Sequence, residues 1–193
     1  MYLSTTPELD TSKYFKPNLL GGSIEFDVDL SESGCGCLTA LYAIVMPATQ
    51  NSDDPFQYCD AASVGGHMCP EFDVMEANKY AWRSTAHKCD NNGGYSNCDR
   101  NGMCTTDVLL DHPRTDYGPN KSKINTNQPF HVRQDFHESN GSYTGYTTYL
   151  TQGNHEMVMS ETDCGNYLDK MSVDMTQMVI AISNWGSDSF DWF

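Results

Sequence analysis

Three carboxylates stand close together in one short segment, at Glu71, Asp73 and Glu76, with apolar side chains between them. Alternating acidic and apolar residues are typical of a strand, because successive strand side chains point to opposite faces. Glu71 and Asp73 therefore share one face. In a flat strand Glu76 would point into the core, where an unpaired carboxylate is very costly. We therefore predict a β-bulge near Val74–Met75, which would return Glu76 to the acidic face.

Three acids in a row could carry out acid–base chemistry. Neighbouring carboxylates resist simultaneous ionisation, so at least one pKa should be raised. One ionised and one protonated carboxyl near neutral pH is what glycoside hydrolysis needs. Retaining glycosidases keep the two carboxyls about 5–5.5 Å apart, which two glutamates on one strand face can reach. A solvated acidic edge or a calcium site is the alternative interpretation of an isolated E-x-D-x-x-E pattern.

Composition favours an all-β sandwich or jelly roll. The 193 residues include eleven tyrosines, many turn formers and no long stretch with a helical period. We expect one domain over residues 1–193. The net charge of −15 argues against nucleic acid and anionic membranes as partners but is compatible with a neutral polymer. No apolar run is long enough to span a membrane.

Eight cysteines in a loop-rich chain predict up to four disulfides and an oxidising compartment. Their spacing is poor for zinc: Cys35 and Cys37 form a C-x-C, and there is no paired CxxC. The first residues resemble a strand already in progress rather than a signal peptide, so we expect a mature or trimmed chain. The expected location is outside the cell.

Hydrophobic patterning predicts the strands that must position the acids. Leu38–Met46 is an apolar run typical of a central strand, and Tyr42 within it could be core or could reach a cleft. The loop over residues 47–68 leads into the acidic strand and should form one wall of the site. Residues 80–111 are expected to be irregular. Further strands are predicted at 1–5, 23–30, 130–137, 143–150, 155–160 and 178–185, with a hairpin turn at Asn140-Gly141 and a central character at 178–182.

In this order the motifs resemble glycoside hydrolase family seven, the cellobiohydrolases and endoglucanases that cut β-1,4-glucan. The resemblance covers most of the chain, and its most specific part is the catalytic signature. It rests on Leu19-Leu20-Gly21-Gly22, Ala40-Leu41-Tyr42, Tyr58-Cys59-Asp60, Cys69-Pro70-Glu71-Phe72-Asp73-Val74-Met75-Glu76-Ala77-Asn78, His87-Lys88-Cys89 and Asp116-Tyr117-Gly118-Pro119.

The resemblance implies a concanavalin-like β-jelly roll with substrate lying across a concave sheet. It implies that Glu71 is the nucleophile, that Glu76 is the general acid/base and that Asp73 tunes Glu71. The residues it places against the sugar are Tyr42, Asp60, His87, Trp185 and Trp192. From the sequence alone, core packing and a place in the cleft are equally compatible with the two tryptophans.

The resemblance also implies three disulfides, Cys59–Cys69, Cys89–Cys98 and Cys104–Cys164, and leaves Cys35 and Cys37 bonded to each other or free. The chain departs from the family in its length, because amino-terminal strands, carboxy-terminal sections and long cleft loops are missing. Met75 also stands where the family has Trp. An open groove and internal cleavage are therefore expected, by a retaining endo-β-glucanase that acts as a monomer and requires no cofactor. Cellulose, mixed-linkage β-glucan and a marine-type β-glucan are all candidate substrates.

Two alternatives come from other classes of protein. The first is a non-catalytic carbohydrate-binding or lectin-like module on the same jelly roll. The second is a divalent-metal-dependent glycosidase, in which His67 or His87 and the acidic cluster hold a divalent cation.

Overall fold

The computed structural model describes residues 1–48, 53–91 and 95–187. Most of its regular structure is β-strand, and the helices are single turns. The helices are α1 (Val108–Asp111) and α2 (Gly165–Leu168), with 3-10 turns at Thr11–Lys13, Asp169–Met171 and Asp174–Thr176. The strands are β1 (Ser23–Val28), β2 (Cys37–Ile44), β3 (Glu71–Ala77), β4 (Trp82–His87), β5 (Asp90–Asn91), β6 (Tyr95–Ser96), β7 (Met103–Asp107), β8 (Tyr117–Gly118), β9 (Ile124–Asn125), β10 (Phe130–Ser139), β11 (Ser142–Gln152), β12 (His155–Glu161) and β13 (Val179–Gly186).

Two antiparallel sheets build the fold. The front sheet has the strand order β13-β2-β3-β4-β7, and the back sheet has the order β1-β10-β11-β12. The core lies between them, where the buried Phe72 ring packs edge-on against Phe136 and Tyr146, with ring centroids 5.2 and 5.0 Å apart. The predicted all-β jelly roll is confirmed.

Several predicted elements are confirmed within this frame. The apolar run that begins at Leu38 forms β2, an interior strand of the front sheet. The β10–β11 hairpin turns at Asn140 and Gly141, whose φ angles of 53° and 83° are the left-handed values that such a two-residue turn requires. In β1, Ile24 and Phe26 are half-buried against the core, as the alternation predicts.

The prediction that residues 80–111 are irregular is wrong for two segments, because β4 and β7 lie in the front sheet. β4 carries polar residues on one face and small or apolar residues on the other. Trp82 is fully buried on the core side, while Arg83, Thr85 and His87 line a groove on the opposite side. The core face of β4 also holds Ser84 and Ala86, so its hydrophobic alternation is too weak to predict a strand.

The expectation of a central strand at 178–182 is also corrected. Among the described strands, β13 lies at the edge of the front sheet. Its apolar character has a local cause, since residues 1–3 cover that edge: the Leu3 amide donates to the Ile180 carbonyl at 3.0 Å, and the Ile182 amide donates to the Met1 carbonyl at 2.8 Å. The predicted strand over residues 1–5 is reduced to isolated bridges.

The disulfides follow the three pairings that the family resemblance implies. They are Cys59–Cys69, Cys89–Cys98 and Cys104–Cys164. Cys35 and Cys37 are not bonded to each other and carry free thiols. In the described part of the chain, no helix has the length and apolar character needed to cross a membrane.

Candidate active site

The predicted bulge in β3 is present. Tyr42 on β2 pairs with Asp73, but the preceding residue, Leu41, pairs with Met75, so Val74 is the extra residue on the β3 side. The pairing with β4 shows the same shift between Asp73 and Glu76. The Ser84 hydroxyl donates to the Val74 carbonyl at 2.8 Å and so satisfies a backbone group at the bulge.

The bulge places Glu71, Asp73 and Glu76 on one groove of about 1070 Å³ on the front sheet, while Phe72 and Val74 stay in the core. Strands β2, β3, β4 and β13 form its floor, and the loop before β3 forms a wall. The other residues that line it are Tyr2, Ala40, Tyr42, Tyr58, Asp60, Ala62, Val64, Arg83, Thr85, His87, Arg100, Asn101, Ser183 and Trp185.

Glu71 is held from the loop side. The Ala61 amide donates to Glu71 Oε2 at 2.9 Å, and the neighbouring Cys59–Cys69 disulfide pins that loop to the start of β3. Loss of water in the groove raises the pKa of Glu71 well above its usual range, and the charge of Asp73 raises it further. His87 and the Ala61 amide oppose this increase. Residues 58–64, in the described part of the loop before β3, thus supply a wall, as predicted.

Asp73 lies between two hydrogen-bonding partners. It shares a hydrogen bond with Glu71, and its Oδ2 is 2.9 Å from His87 Nε2. Burial raises the pKa of Asp73 to about 7; the hydrogen bond with Glu71 works against this rise and the charge of Asp60 adds to it. At neutral pH the acidic cluster therefore retains protons that exposed carboxylates would have lost.

The hydrogen bonds of His87 show where one of those protons lies. Its Nδ1 is 2.8 Å from the Asp99 carbonyl, which can only accept, so Nδ1 carries a hydrogen. Nε2 then either donates to an ionised Asp73 or accepts from a protonated one. In both states a single proton occupies the His87–Asp73 contact.

Glu76 is half-buried at the other end of the acidic row. Desolvation and the charge of Asp73 raise its pKa well above the usual range, and the nearby His87 and Arg83 lower it. Glu71 and Glu76 therefore line the same groove with different partners. Glu71 accepts from a backbone amide, whereas Glu76 lies opposite an arginine on β4.

The groove brings together most of the residues predicted to contact sugar. Tyr42 is buried, its hydroxyl is 3.3 Å from that of Tyr58, and burial raises the pKa of Tyr42 to about 12. Asp60 is buried, and its Oδ1 accepts from the Val64 amide at 3.0 Å. Trp185 is 44% exposed and lines the groove, so it is not a core residue. Trp192 lies outside the described residues.

Of the two histidines considered as alternative metal ligands, only His87 lies with the acidic cluster. His67 is absent from the groove lining, and His87 is hydrogen-bonded to Asp73 and to a backbone carbonyl. Within the described ranges, no group of three His, Cys, Asp or Glu side chains has an arrangement that could hold a metal ion.

Sequence reasoning missed several residues of the groove, among them Arg83, Arg100 and Asn101. For Arg83 a signal was present: Arg83, Thr85 and His87 recur at every second position, which is the spacing of one strand face. Arg100 and Asn101 come from a turn between two cysteines, and no periodicity marks their position.

No family model matches the chain. The probable endo-β-1,4-glucanase celB of Aspergillus flavus is 28% identical to it over 200 residues, covering 86% of this chain and 48% of that protein. The Humicola insolens endocellulase Cel7B superposes with a TM-score of 0.77 at 22% identity, covering 93% of this chain and 60% of that one. A family seven cellobiohydrolase from Daphnia pulex gives 0.76 at 20% identity, covering 90% and 60%.

The chain resembles a shortened glycoside hydrolase family seven domain. At these identities the solved structures show that it has the family seven fold, and the Aspergillus protein adds similarity in sequence. The chain spans about half the length of the curated relatives it matches. The family seven fold thus accounts for the two sheets and for the groove across the front sheet.

Proposed function

We propose that this chain is a retaining, endo-acting β-glucanase. One observation carries the proposal: a bulge in β3 aligns Glu71, Asp73 and Glu76 along the floor of one groove. The similarity of this chain to an endo-β-1,4-glucanase and to an endocellulase supports a β-1,4-glucan substrate, and mixed-linkage β-glucan is a second candidate.

The reaction proceeds by double displacement. In the first step, an ionised Glu71 attacks the anomeric carbon, the bond to the leaving oxygen breaks, and Glu76 gives its proton to that oxygen. In the second step, water attacks the same carbon, the bond to Glu71 breaks, and the water proton passes to Glu76. At rest the Glu71 carboxyl donates a hydrogen bond to Asp73, and this shared proton passes to Asp73 as Glu71 is ionised for attack, so Asp73 positions and tunes the nucleophile.

The remaining groove residues bind the sugar chain. The indole of Trp185 offers an apolar ring face for the CH face of a glucose unit, and Tyr42, Asp60 and His87 offer hydrogen-bonding groups. Trp192 is proposed for the same role from the family resemblance alone. The exposure of Val64 (80%) and Trp185 (44%) at the groove supports an open cleft and internal cleavage.

The described residues are proposed to form one domain. The protein is proposed to be a monomer that requires no cofactor and acts outside the cell. Three disulfides support the location, because such bonds persist in oxidising compartments. The formal net charge of −15 is consistent with an uncharged polysaccharide as partner.

Proton NMR of the first product tests the proposal. Release of reducing ends from β-1,4-glucan, with the β-anomer formed first, is expected for double displacement. An α-anomer formed first would contradict retention. Oligosaccharide binding without any cleavage would show a binding module instead, and loss of activity in EDTA with recovery on adding one metal would show a metal-dependent glycosidase.

A further inference from the structure

Three charged side chains lie in one row across the front sheet. Glu76 on β3 pairs in register with Arg83 on β4, and Arg83 pairs in register with Asp107 on β7. Side chains directly opposite each other on neighbouring antiparallel strands have Cβ atoms about 4.5–5.5 Å apart. Arg83 therefore lies between Glu76 and Asp107 in this row.

Asp107 fixes the position of the Arg83 guanidinium. Its Oδ2 accepts from Arg83 Nη2 at 3.0 Å and from Arg83 Nε at 3.3 Å. Asp107 is itself held, because its Oδ1 caps α1 by accepting from the Leu109 amide at 2.8 Å, and its amide donates to Asp111 Oδ2 at 2.9 Å. With Asp107 10% exposed and Arg83 25% exposed, the pair is shielded from much of the solvent.

The charged groups around Glu76 are otherwise mostly acidic. Glu71 and Asp73 lie on its own strand, β2 contributes the neutral Tyr42, and β13 contributes no titratable group among its described groove residues. β4 contributes His87, whose Nε2 is already engaged by Asp73. Arg100 reaches the groove from an exposed turn. Arg83 is therefore the fixed positive charge in register with Glu76, and His87 and Arg83 both lower the pKa that desolvation and Asp73 raise.

We propose that Arg83, anchored by Asp107, is a positioning residue that poises Glu76 between its two protonation states during the proposed hydrolysis. The inference rests on the proposed function. Glu76 must give a proton to the leaving oxygen and then, as a carboxylate, accept one from water. In an acidic, desolvated groove the carboxylate form of Glu76 is the less favourable one, and a fixed cation stabilises that form.

Replacing Arg83 tests this role. Arg83→Gln should move the alkaline limb of the kcat/KM profile upward by about 1 pH unit, because Glu76 loses an adjacent positive charge. Arg83→Lys should recover part of the shift. Arg133→Gln is the control, since it removes an arginine on the exposed face of the back sheet, away from the groove, and it should leave the limb in place.

A second measurement does not depend on turnover. Carboxyl carbon-13 NMR of labelled glutamate follows the titration of Glu76, whose signal is assigned from Glu76→Gln. The pH at the midpoint of this titration should rise in Arg83→Gln as the alkaline limb does. The double variant Arg83→Gln/Asp107→Asn should show this rise too, and it avoids leaving the Asp107 carboxylate buried without its partner. An unchanged Glu76 titration in both variants would overturn the role of Arg83. Absence of hydrolysis by the wild-type protein, with a shifted titration, would instead overturn the proposed function.

Discussion

At the scale of single residues, the three neighbouring carboxyls of Glu71, Asp73 and Glu76 each have a different partner. Glu71 accepts from the Ala61 amide, Asp73 is hydrogen-bonded to His87, and Glu76 lies in strand register with Arg83. Desolvation raises the pKa values of all three carboxyls, and their different partners give each carboxyl a different tendency to ionise. This difference is what lets one glutamate act as a nucleophile while another carries a proton.

Removal of the proposed acid/base should be rescued by an external nucleophile. Glu76→Ala is expected to lower kcat on β-glucan by about 10²–10⁴-fold, because general acid–base catalysis contributes about that much. On an aryl glycoside with a good leaving group, added azide should restore turnover and yield a β-glycosyl azide, which chromatography and NMR would identify. Glu25→Ala, an exposed acid on the back sheet, is the control. An α-glycosyl azide would assign the opposite role to Glu76.

Trp185 should contribute to binding more than to folding. Trp185→Ala removes a ring that lines the groove, so the affinity for a cello-oligosaccharide is expected to fall about five- to tenfold, the equivalent of about 1–1.4 kcal/mol. Calorimetric titration of an inactive Glu71→Gln background would measure it. Tyr80→Ala removes a ring that is 49% exposed but does not line the groove, and it should leave the affinity unchanged. Equal losses from both variants would remove Trp185 from the binding site.

At the scale of elements, the turn before β7 packs against side chains that line the groove. Gly102 has a φ of +69°, and a Cβ there would lie 2.3 Å from Thr85 Cγ2 and 2.7 Å from His87 Cε1. Both neighbours line the groove. The absence of a side chain at Gly102 therefore lets His87 approach Asp73.

Gly102→Ala should lower activity by more than the strain of its left-handed backbone alone would cause. We expect kcat/KM to fall about tenfold to a hundredfold, because small displacements of positioned groups are costly in catalysis. Gly141→Ala is a matched control, since its φ of +83° carries comparable strain but nothing lies within 4 Å of the added Cβ. Both variants should lose about 1–2 kcal/mol of stability from the left-handed backbone. Equal activities of the two variants would contradict a supporting role for this turn.

The sequence predicts the elements whose pattern is strong and misses those whose pattern is broken by function. Leu38–Met46 and the Asn140-Gly141 turn are recognisable because apolar runs and turn residues report directly on burial and φ. Glu76 would point into the core of a flat strand, and this conflict predicts the bulge. β4 could not be predicted in this way, because its groove face is polar and its core face is interrupted by Ser84. The ion pair of Arg83 with Asp107 depends on pairing between strands that were not predicted.

At the scale of the whole molecule, the buried acids make stability depend on pH. The pKa of Asp73 is raised from 3.8 to about 7, so between these values the folded protein holds a proton that the unfolded chain has lost. The free energy of unfolding therefore falls as pH rises through this window, by up to about 1.4 kcal/mol per pH unit for each proton retained.

Asp73→Asn should flatten this dependence, because the amide does not titrate. Urea unfolding at several pH values between about 4 and 7 would compare the slopes, and the wild-type slope should be the steeper one. Asp163→Asn, at an exposed position after β12, serves as the control and should leave the slope as it is. Identical slopes for the wild type and Asp73→Asn would show that Asp73 is ionised in the folded protein throughout this range.

The most direct measurement is covalent trapping of the nucleophile. Incubation with a 2-deoxy-2-fluoro-β-cellobioside bearing a good leaving group should inactivate the protein and add one disaccharide to it. Mass spectrometry of the digested protein should find that label on Glu71 alone. A label on Glu76, or full turnover of natural substrate with no label at either glutamate, would contradict the account.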